Sequence, residues 1–177
     1  FKLFIIPLCF LLSCYRVPQA DSKHPVKILE ERRTSYSTVS VRESEGLRYL
    51  FNDEREQSAF DPARPGRQIS DFSRLMATAV SAWEGASRDK AGMVLVVGLG
   101  GGTICNFILH HYRGFTVEAV EIDPVVAQFA AKYFGINRRV KVHIGDGRAF
   151  MEKSRNSWDI IILDAFGKSY IPPALAT

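Results

Sequence analysis

Val94–Thr103 reads VLVVGLGGGT, and a second apolar stretch then closes on Glu121, Ile122 and Asp123. An apolar run ending in glycines, a helix-like segment, and another apolar run ending in an acid about 20 residues on form the βαβ nucleotide-binding pattern. Gly98, Gly100 and Gly102 stand at G-x-G-x-G spacing. Glycines let a chain turn sharply out of a strand and bring its backbone N–H groups close to a ligand. The helix that opens near Gly102 adds the positive end of its dipole. Glu121, at the carboxyl end of the next strand, is placed to accept both hydroxyl protons of a ribose.

A glycine-rich turn alone is also what any tight strand-to-helix connection needs, and Glu121 is what makes it a ligand site. A dinucleotide fingerprint wants its last glycine three residues after the second, and position 103 is Thr. The tighter spacing is more usual for S-adenosylmethionine-type ligands, which carry no pyrophosphate.

After Gly92 the pattern alternates strand and helix. Strands are expected near Met93–Val97, Thr116–Glu121, Val140–Ile144 and Trp158–Leu163, and helices near Gly102–Tyr112, Pro124–Phe134 and Arg148–Lys153. Pro124 suits a first helical turn. This is an α/β, doubly wound, Rossmann-like domain over residues 68–177, with a parallel sheet. It is expected to be incomplete at its C-terminal end, because such a domain needs further strands.

Ahead of it, Lys27–Glu30, Thr38–Arg42 and Leu47–Phe51 alternate or cluster apolar residues between turn-formers, which predicts a small antiparallel β-domain over residues 26–62. Asp61–Arg67 is a linker with two prolines and a glycine. Ile69–Trp83 then repeats apolar residues at three- and four-residue steps, an amphipathic helix that Ser70 or Asp71 can cap.

Residues 1–25 hold a signal or anchor segment and a linker. Phe1–Cys14 is almost wholly apolar and short for a spanning helix. Leu11–Cys14 loosely resembles a lipoprotein cleavage box, which leaves an exported lipoprotein as the alternative. Arg16, Lys23, Lys27, Arg32 and Arg33 follow the run, and by the positive-inside rule they place the domain on the cytoplasmic side of a membrane anchor. A buried core helix is the third option, and Pro7 counts against it.

The 23 Lys and Arg against 19 Asp and Glu give a formal charge of +4, spread along the chain, which gives nucleic-acid binding little support. The three cysteines, Cys9, Cys14 and Cys105, make neither a metal-ligand spacing nor a disulfide framework, and no metal is expected. Cys105 reads as a small buried residue on the helix after the glycines.

Three acids end three successive strands: Glu121, Asp146 in Ile144–Gly147 (IGDG), and Asp164 after the run IIIL. In a parallel sheet these carboxyl ends line one crevice. Asp146 could accept a hydrogen bond from an adenine amino group or simply cap the next helix. Asp164 emerges from a buried strand, where a carboxylate can accept a proton or orient an attacking amine, or serve as a turn acid.

From roughly Leu29 onward these stretches resemble the spermidine/spermine synthase-like (polyamine aminopropyltransferase) family, especially its divergent bacterial branch often joined to membrane segments. The resemblance rests on a β-rich N-terminal part with Gln57 in FNDEREQS, then VLVVGLGGGT, VEAVEIDP, VHIGDGRAF and DIIILDAFGKSYIPPALAT. It implies a class I S-adenosylmethionine-transferase fold and transfer of the aminopropyl group of decarboxylated S-adenosylmethionine onto a small-molecule amine. It further implies that Glu121, with Ile122 beside it, holds the ribose end and that Asp146 and Gly147 hold the adenine. Gly98, Gly100, Gly101 and Gly102 would form the donor loop, with Gln57 near the donor's polar end. Asp164 would help deprotonate the amine. A homodimer stays open.

The sequence also departs from that family. Its usual loop acid is replaced by Gly101, a second acid three residues after the catalytic one by Gly167, a Tyr-His-Glu stretch by Asp71–Ser73, and the Gln after Tyr36 by Ser37. Gly101 is expected to leave room for a methionyl carboxylate on the loop's N–H groups, where an Asp would repel it. S-adenosylmethionine itself, and with it methyl transfer, is therefore an alternative, as is a non-catalytic adenosyl-binding module. Either leaving group is a neutral thioether, so Asp164 serves both chemistries.

Overall fold

The computed structural model describes residues 4–6, 25–67, 69, 71–85 and 91–165. Strand β1 (Phe4–Ile6) lies within the apolar N-terminal run. The antiparallel sheet follows, with β2 (Lys27–Arg33), β3 (Thr38–Ser44), β4 (Leu47–Asn52) and β5 (Arg55–Phe60). Helix α1 (Asp71–Gly85) leads into β6 (Met93–Val97), α2 (Thr103–His111), β7 (Thr116–Glu121), α3 (Pro124–Tyr133), β8 (Lys141–Ile144), α4 (Gly147–Lys153) and β9 (Ile160–Leu163).

The sheets run in the orders β2-β3-β4-β5 and β1-β9-β6-β7-β8. Pairing of β6 with β7, β7 with β8, and β6 with β9 is parallel. The winding reverses between β6 and β9. That reversal is the topological switch point at which α/β sheets open a crevice beyond their carboxyl ends.

The expected strands and helices are present, β6 and β7 with the expected bounds and the others with a bound shifted by one to three residues. Strand β5 was not legible: REQSAF is polar until its last two residues, and its pairing with β4 supplies what its own pattern does not. The sheet is thus four-stranded, not three-stranded. Phe4–Ile6, expected within an anchor, pairs in parallel with β9. The remainder of Phe1–Cys14, the Ser70 cap and Gly167 lie outside the described residues. Among the described residues, no helix is long and apolar enough to cross a membrane.

The apolar faces explain the layering. Val94, Val96, Val117, Ala119, Ile160 and Ile162 point one way and pack under Met76, Val80, Ile104 and Ile108 of α1 and α2. Leu95, Val97 and Val120 point the other way, against Phe150, Trp158 and Ile161. Both faces of the parallel strands are covered, so these strands read as continuous apolar runs. A third cluster packs the antiparallel sheet on α3 and its C-cap: Val39, Val41, Leu50 and Phe60 meet Val126, Phe129 and Phe134. Each such large side chain contributes about 1.5–3 kcal/mol on burial.

Polar links finish the joint between the sheets. Glu30 accepts hydrogen bonds from Lys132 at 2.7 Å and from the Tyr133 hydroxyl at 2.6 Å. The Lys132, Tyr133 and Arg32 bonds together hold its carboxyl down at about 2. Arg48 donates to the Tyr133 carbonyl at 2.9 Å, and the Thr34 hydroxyl donates to Asp123 at 2.6 Å. The antiparallel sheet is therefore fixed to α3 and to the turn that follows Glu121.

Candidate functional site

The glycine turn leaves β6 at Gly98, whose φ is +94°, and continues through Gly100 at +52° and Gly102 at +70°. All three lie in the left-handed region that favours glycine. Close approach makes the first indispensable, because a Cβ there would sit 2.5 Å from the Asp164 carbonyl oxygen. Gly98 and Asp164 thus flank the switch point, one at the end of each diverging strand.

Every backbone N–H of the turn is spoken for. Gly98 donates to Val120 O at 2.9 Å, and Gly102 to Leu99 O at 2.9 Å. Leu99 donates to Glu121 Oε2 at 2.9 Å, and the Gly100 amide also bonds the Glu121 carboxylate. Gly101 donates to Ser58 Oγ at 2.8 Å. This corrects the expectation that loop amides face a ligand and that Gly101 leaves room for a carboxylate on them. A Cβ at Gly101 would moreover meet Phe134 at 2.8 Å and Ser58 at 2.9 Å. Neither Ser58 nor Phe134 was legible as part of the site, because both arrive through tertiary packing.

Glu121 is 8% exposed. Its Oε1 accepts from Asp123 N–H at 3.0 Å, opposite the Oε2 bond to Leu99. Burial pushes its carboxyl up, while the Asp123, Leu99 and Gly100 amides pull the other way. A carboxylate has about four lone-pair sites, so these three bonds leave about one for a ribose hydroxyl. Ile122 follows with 42% exposure, an apolar surface at the strand's carboxyl end.

Asp164 is half-buried at the end of β9, its N–H bonded to Val97 O at 2.7 Å. Burial pushes its carboxyl well above the usual range, and the Glu121 charge adds to the shift. The same neighbourhood reaches Cys105, which is fully buried and whose thiol is driven to about 12 by burial and by Asp164. That thiol is an inert packing group.

Asp146 and Gly147 stand beyond β8, tied to Glu121 by the Gly145 N–H bond to its carbonyl at 2.9 Å. Asp146 caps α4 through Oδ1, which accepts from Ala149 N–H at 2.8 Å; the side chain is exposed, and Gly147 is half-buried. A cavity of about 380 Å³ between β8 and α4 includes Asp146, His143, Phe150 and Asn156 in its lining, but none of Gly98, Glu121 or Asp164. It adjoins the crevice at Asp146 without being it.

Gln57 sits on β5 at a β-bulge. Leu50 pairs with Ser58 and Phe51 with Glu56, which leaves Gln57 as the extra residue. It is exposed, and its carbonyl oxygen lies 3.9 Å from where a Gly100 Cβ would be. The structure thus brings Gly98, Gly100, Gly101, Glu121, Gln57 and Asp164 around one turn. Asp146 and Gly147 border it one strand further out. Among the described residues, no group of three or more His, Cys, Asp or Glu side chains is placed to hold a metal ion.

Residues 78–170 match the family model for the spermine/spermidine synthase domain. The chain belongs to that family. A polyamine aminopropyltransferase of Vibrio vulnificus (strain CMCP6) is 29% identical over 180 residues, spanning 96% of this chain and 56% of that protein. A probable spermidine synthase from Corynebacterium glutamicum superposes with a TM-score of 0.77 at 23% identity, over 85% of this chain and 57% of its own length. At that identity the likeness speaks for the fold alone. Human methyltransferase-like protein 13, in complex with SAH, is similar at 28% identity and a TM-score of 0.54, over 62% of this chain and 56% of that one. The chain therefore spans little more than half the length of these relatives. Its spermidine-synthase-like fold is the α/β, Rossmann-like fold of the class I transferases, preceded by an antiparallel sheet.

Proposed function

We propose that this chain carries the donor-binding and proton-accepting residues of an aminopropyltransferase, which moves the aminopropyl group of decarboxylated S-adenosylmethionine to a small-molecule amine. One observation carries the reading: the N–H groups of the glycine turn already serve protein oxygens, and the carboxylate of Glu121 stands beside it. Such a turn repels a pyrophosphate and suits a cation. A sulfonium donor meets that requirement and supplies an electrophilic carbon with a neutral thioether as leaving group.

In this reading Glu121 accepts one ribose hydroxyl with its remaining lone-pair site. Asp146 and Gly147 border the adenine, and Gln57 overhangs the glycine turn. Asp164 takes the proton from the amine whose nitrogen forms the new bond to carbon as the carbon–sulfur bond breaks. Its raised affinity for protons brings it closer to an amine in basicity, which general-base catalysis rewards. Membership of the spermidine synthase family and the 29% identity along nearly the whole chain support the same donor.

Methyl transfer from S-adenosylmethionine is the second reading. It is favoured by Gly101 and Gly167 where acids would offset a polyamine's charges, and by the similarity to the human methyltransferase. Mass spectrometry separates the two. The full-length protein incubated with a diamine and each donor should release methylthioadenosine and an aminopropylated amine from the decarboxylated donor. S-adenosylhomocysteine released from S-adenosylmethionine would replace this reading with the second, and no product from either donor would leave an adenosyl-binding module. We further propose that the apolar run Phe1–Cys14, apart from Phe4–Ile6, which pair with β9, ties the protein to a membrane with this domain on the cytoplasmic side, as the trailing Arg and Lys residues suggest; a second copy of the chain stands as a partner only by family resemblance.

A further inference from the structure

The turn between β2 and β3 is organised around one hydroxyl. Thr34 Oγ1 accepts the Tyr36 N–H at 3.1 Å and the Ser37 N–H at 3.2 Å, and the Thr34 N–H donates to the Ser37 carbonyl at 2.9 Å. The hydroxyl hydrogen has two oxygens in reach, the Ser37 carbonyl at 3.1 Å and Asp123 Oδ2 at 2.6 Å. The second is the stronger partner, because it is closer and because a charged acceptor roughly doubles a hydrogen bond. Asp123 is 3% exposed, so water does not compete for it. The hydroxyl is fully used, as one donor and two acceptors.

Asp123 passes that anchor on to the candidate site. Its Oδ1 caps α3 by accepting the Val125 N–H at 2.9 Å, and its own N–H donates to Glu121 Oε1 at 3.0 Å. One carboxylate oxygen thus serves its own helix and the other a hydroxyl 89 residues earlier in the chain. Of the three amides that hold the Glu121 carboxylate, those of Leu99 and Gly100 belong to the glycine turn, whereas that of Asp123 is set by Thr34. Removing the Thr34 hydroxyl releases Asp123 Oδ2, and with it the Oε1 bond that fixes the rotation of the Glu121 carboxylate. We propose that Thr34 is a positioning residue for ribose recognition: through Asp123 it holds Glu121 with its remaining lone-pair site turned towards a ribose hydroxyl. This rests on the reading of Glu121 as the ribose acceptor given above.

The test is titration calorimetry of the full-length protein with adenosine and with dideoxyadenosine, which lacks both ribose hydroxyls, for wild type, Thr34→Val, Thr34→Ala and Thr34→Ser. Wild type is expected to bind adenosine about tenfold more tightly or better, since only adenosine offers Glu121 a hydroxyl. Thr34→Val is nearly isosteric but lacks the hydroxyl, and it should cut that preference by about threefold or more. Thr34→Ala removes the same donor without setting a methyl group against Asp123, and should act in the same direction, which covers a Val variant that does not fold. Thr34→Ser keeps the hydroxyl and should restore the wild-type ratio. A Thr34 that only stabilises its turn would weaken both nucleosides alike. An unchanged ratio in the Val and Ala variants therefore overturns the inference, while the wild-type preference leaves the Glu121 reading standing. A wild type that binds the two nucleosides equally, or neither, overturns that reading and this inference with it.

Discussion

The point where a Cβ on Gly98 would sit lies 2.5 Å from the carbonyl oxygen of Asp164. The two strands that part at the switch point are thus in backbone contact just beyond it, and the turn that shapes the donor crevice also places the proposed base. Gly98→Ala adds a side chain at a φ of +94° and drives it into that carbonyl. The expected loss is about 2–5 kcal/mol of stability, from left-handed strain and overpacking together, read by urea denaturation. A neutral effect would mean that the turn and β9 can separate freely.

Glu121 does two jobs at once, bracing the turn through Leu99, Gly100 and Asp123 amides and offering its remaining lone-pair site to a ligand. Hydrogen bonds to a charged group are worth about 1.5–3 kcal/mol each. Glu121→Gln keeps the shape and an acceptor, and should weaken adenosyl-ligand binding by about tenfold in calorimetry. Unchanged affinity in a folded variant would reduce Glu121 to a brace for the turn.

Glu56 tests the energetics of the antiparallel sheet. Burial alone raises its carboxyl to about 7. A raised carboxyl keeps its proton in the folded state after the unfolded chain has lost it. The contribution is complete below the unfolded value of 4.5 and disappears as the pH rises through about 7. Glu56→Gln should flatten the fall in stability between those limits, by about 1–2 kcal/mol once solvent screening of a partly exposed group is allowed for. Denaturation midpoints with the same slope in both proteins across that range would contradict it.

The membrane proposal is tested separately. A reporter active only in the cytoplasm, fused after Thr177 of the natural chain, should be active. Activity confined to a periplasm-specific reporter would overturn the proposed orientation and favour a lipoprotein at Cys14.

The parallel half of the fold was legible because its strands are covered on both faces and read as unbroken apolar runs, each closed by a glycine or an acid. VLVVGLGGGT and IIILD could hardly be anything else. Strand β5 escaped notice because Arg55, Glu56, Gln57 and Ser58 are polar for reasons outside the strand: a bulge, a half-buried carboxyl and a bond to a distant loop. The same cause hid Ser58 and Phe134 from the site. Gly101 shows the limit from the other side. Its lack of a side chain suggested open room on the loop, whereas Phe134 and Ser58 fill that space and its amide is bonded.

The central claim is that Asp164 acts as a proton acceptor in a crevice that binds the donor without it, and Asp164→Asn tests this most directly. Donor affinity by titration and single-turnover transfer rate should be measured side by side on the full-length protein across pH. The variant should bind the donor within about threefold of wild type and transfer at least about 100-fold more slowly. The wild-type rate should fall on acidification at pH values where an ordinary aspartate is still ionised, since the Asp164 carboxyl is held well above that range. A variant that transfers at the wild-type rate, or that loses donor binding in step with activity, would contradict the account.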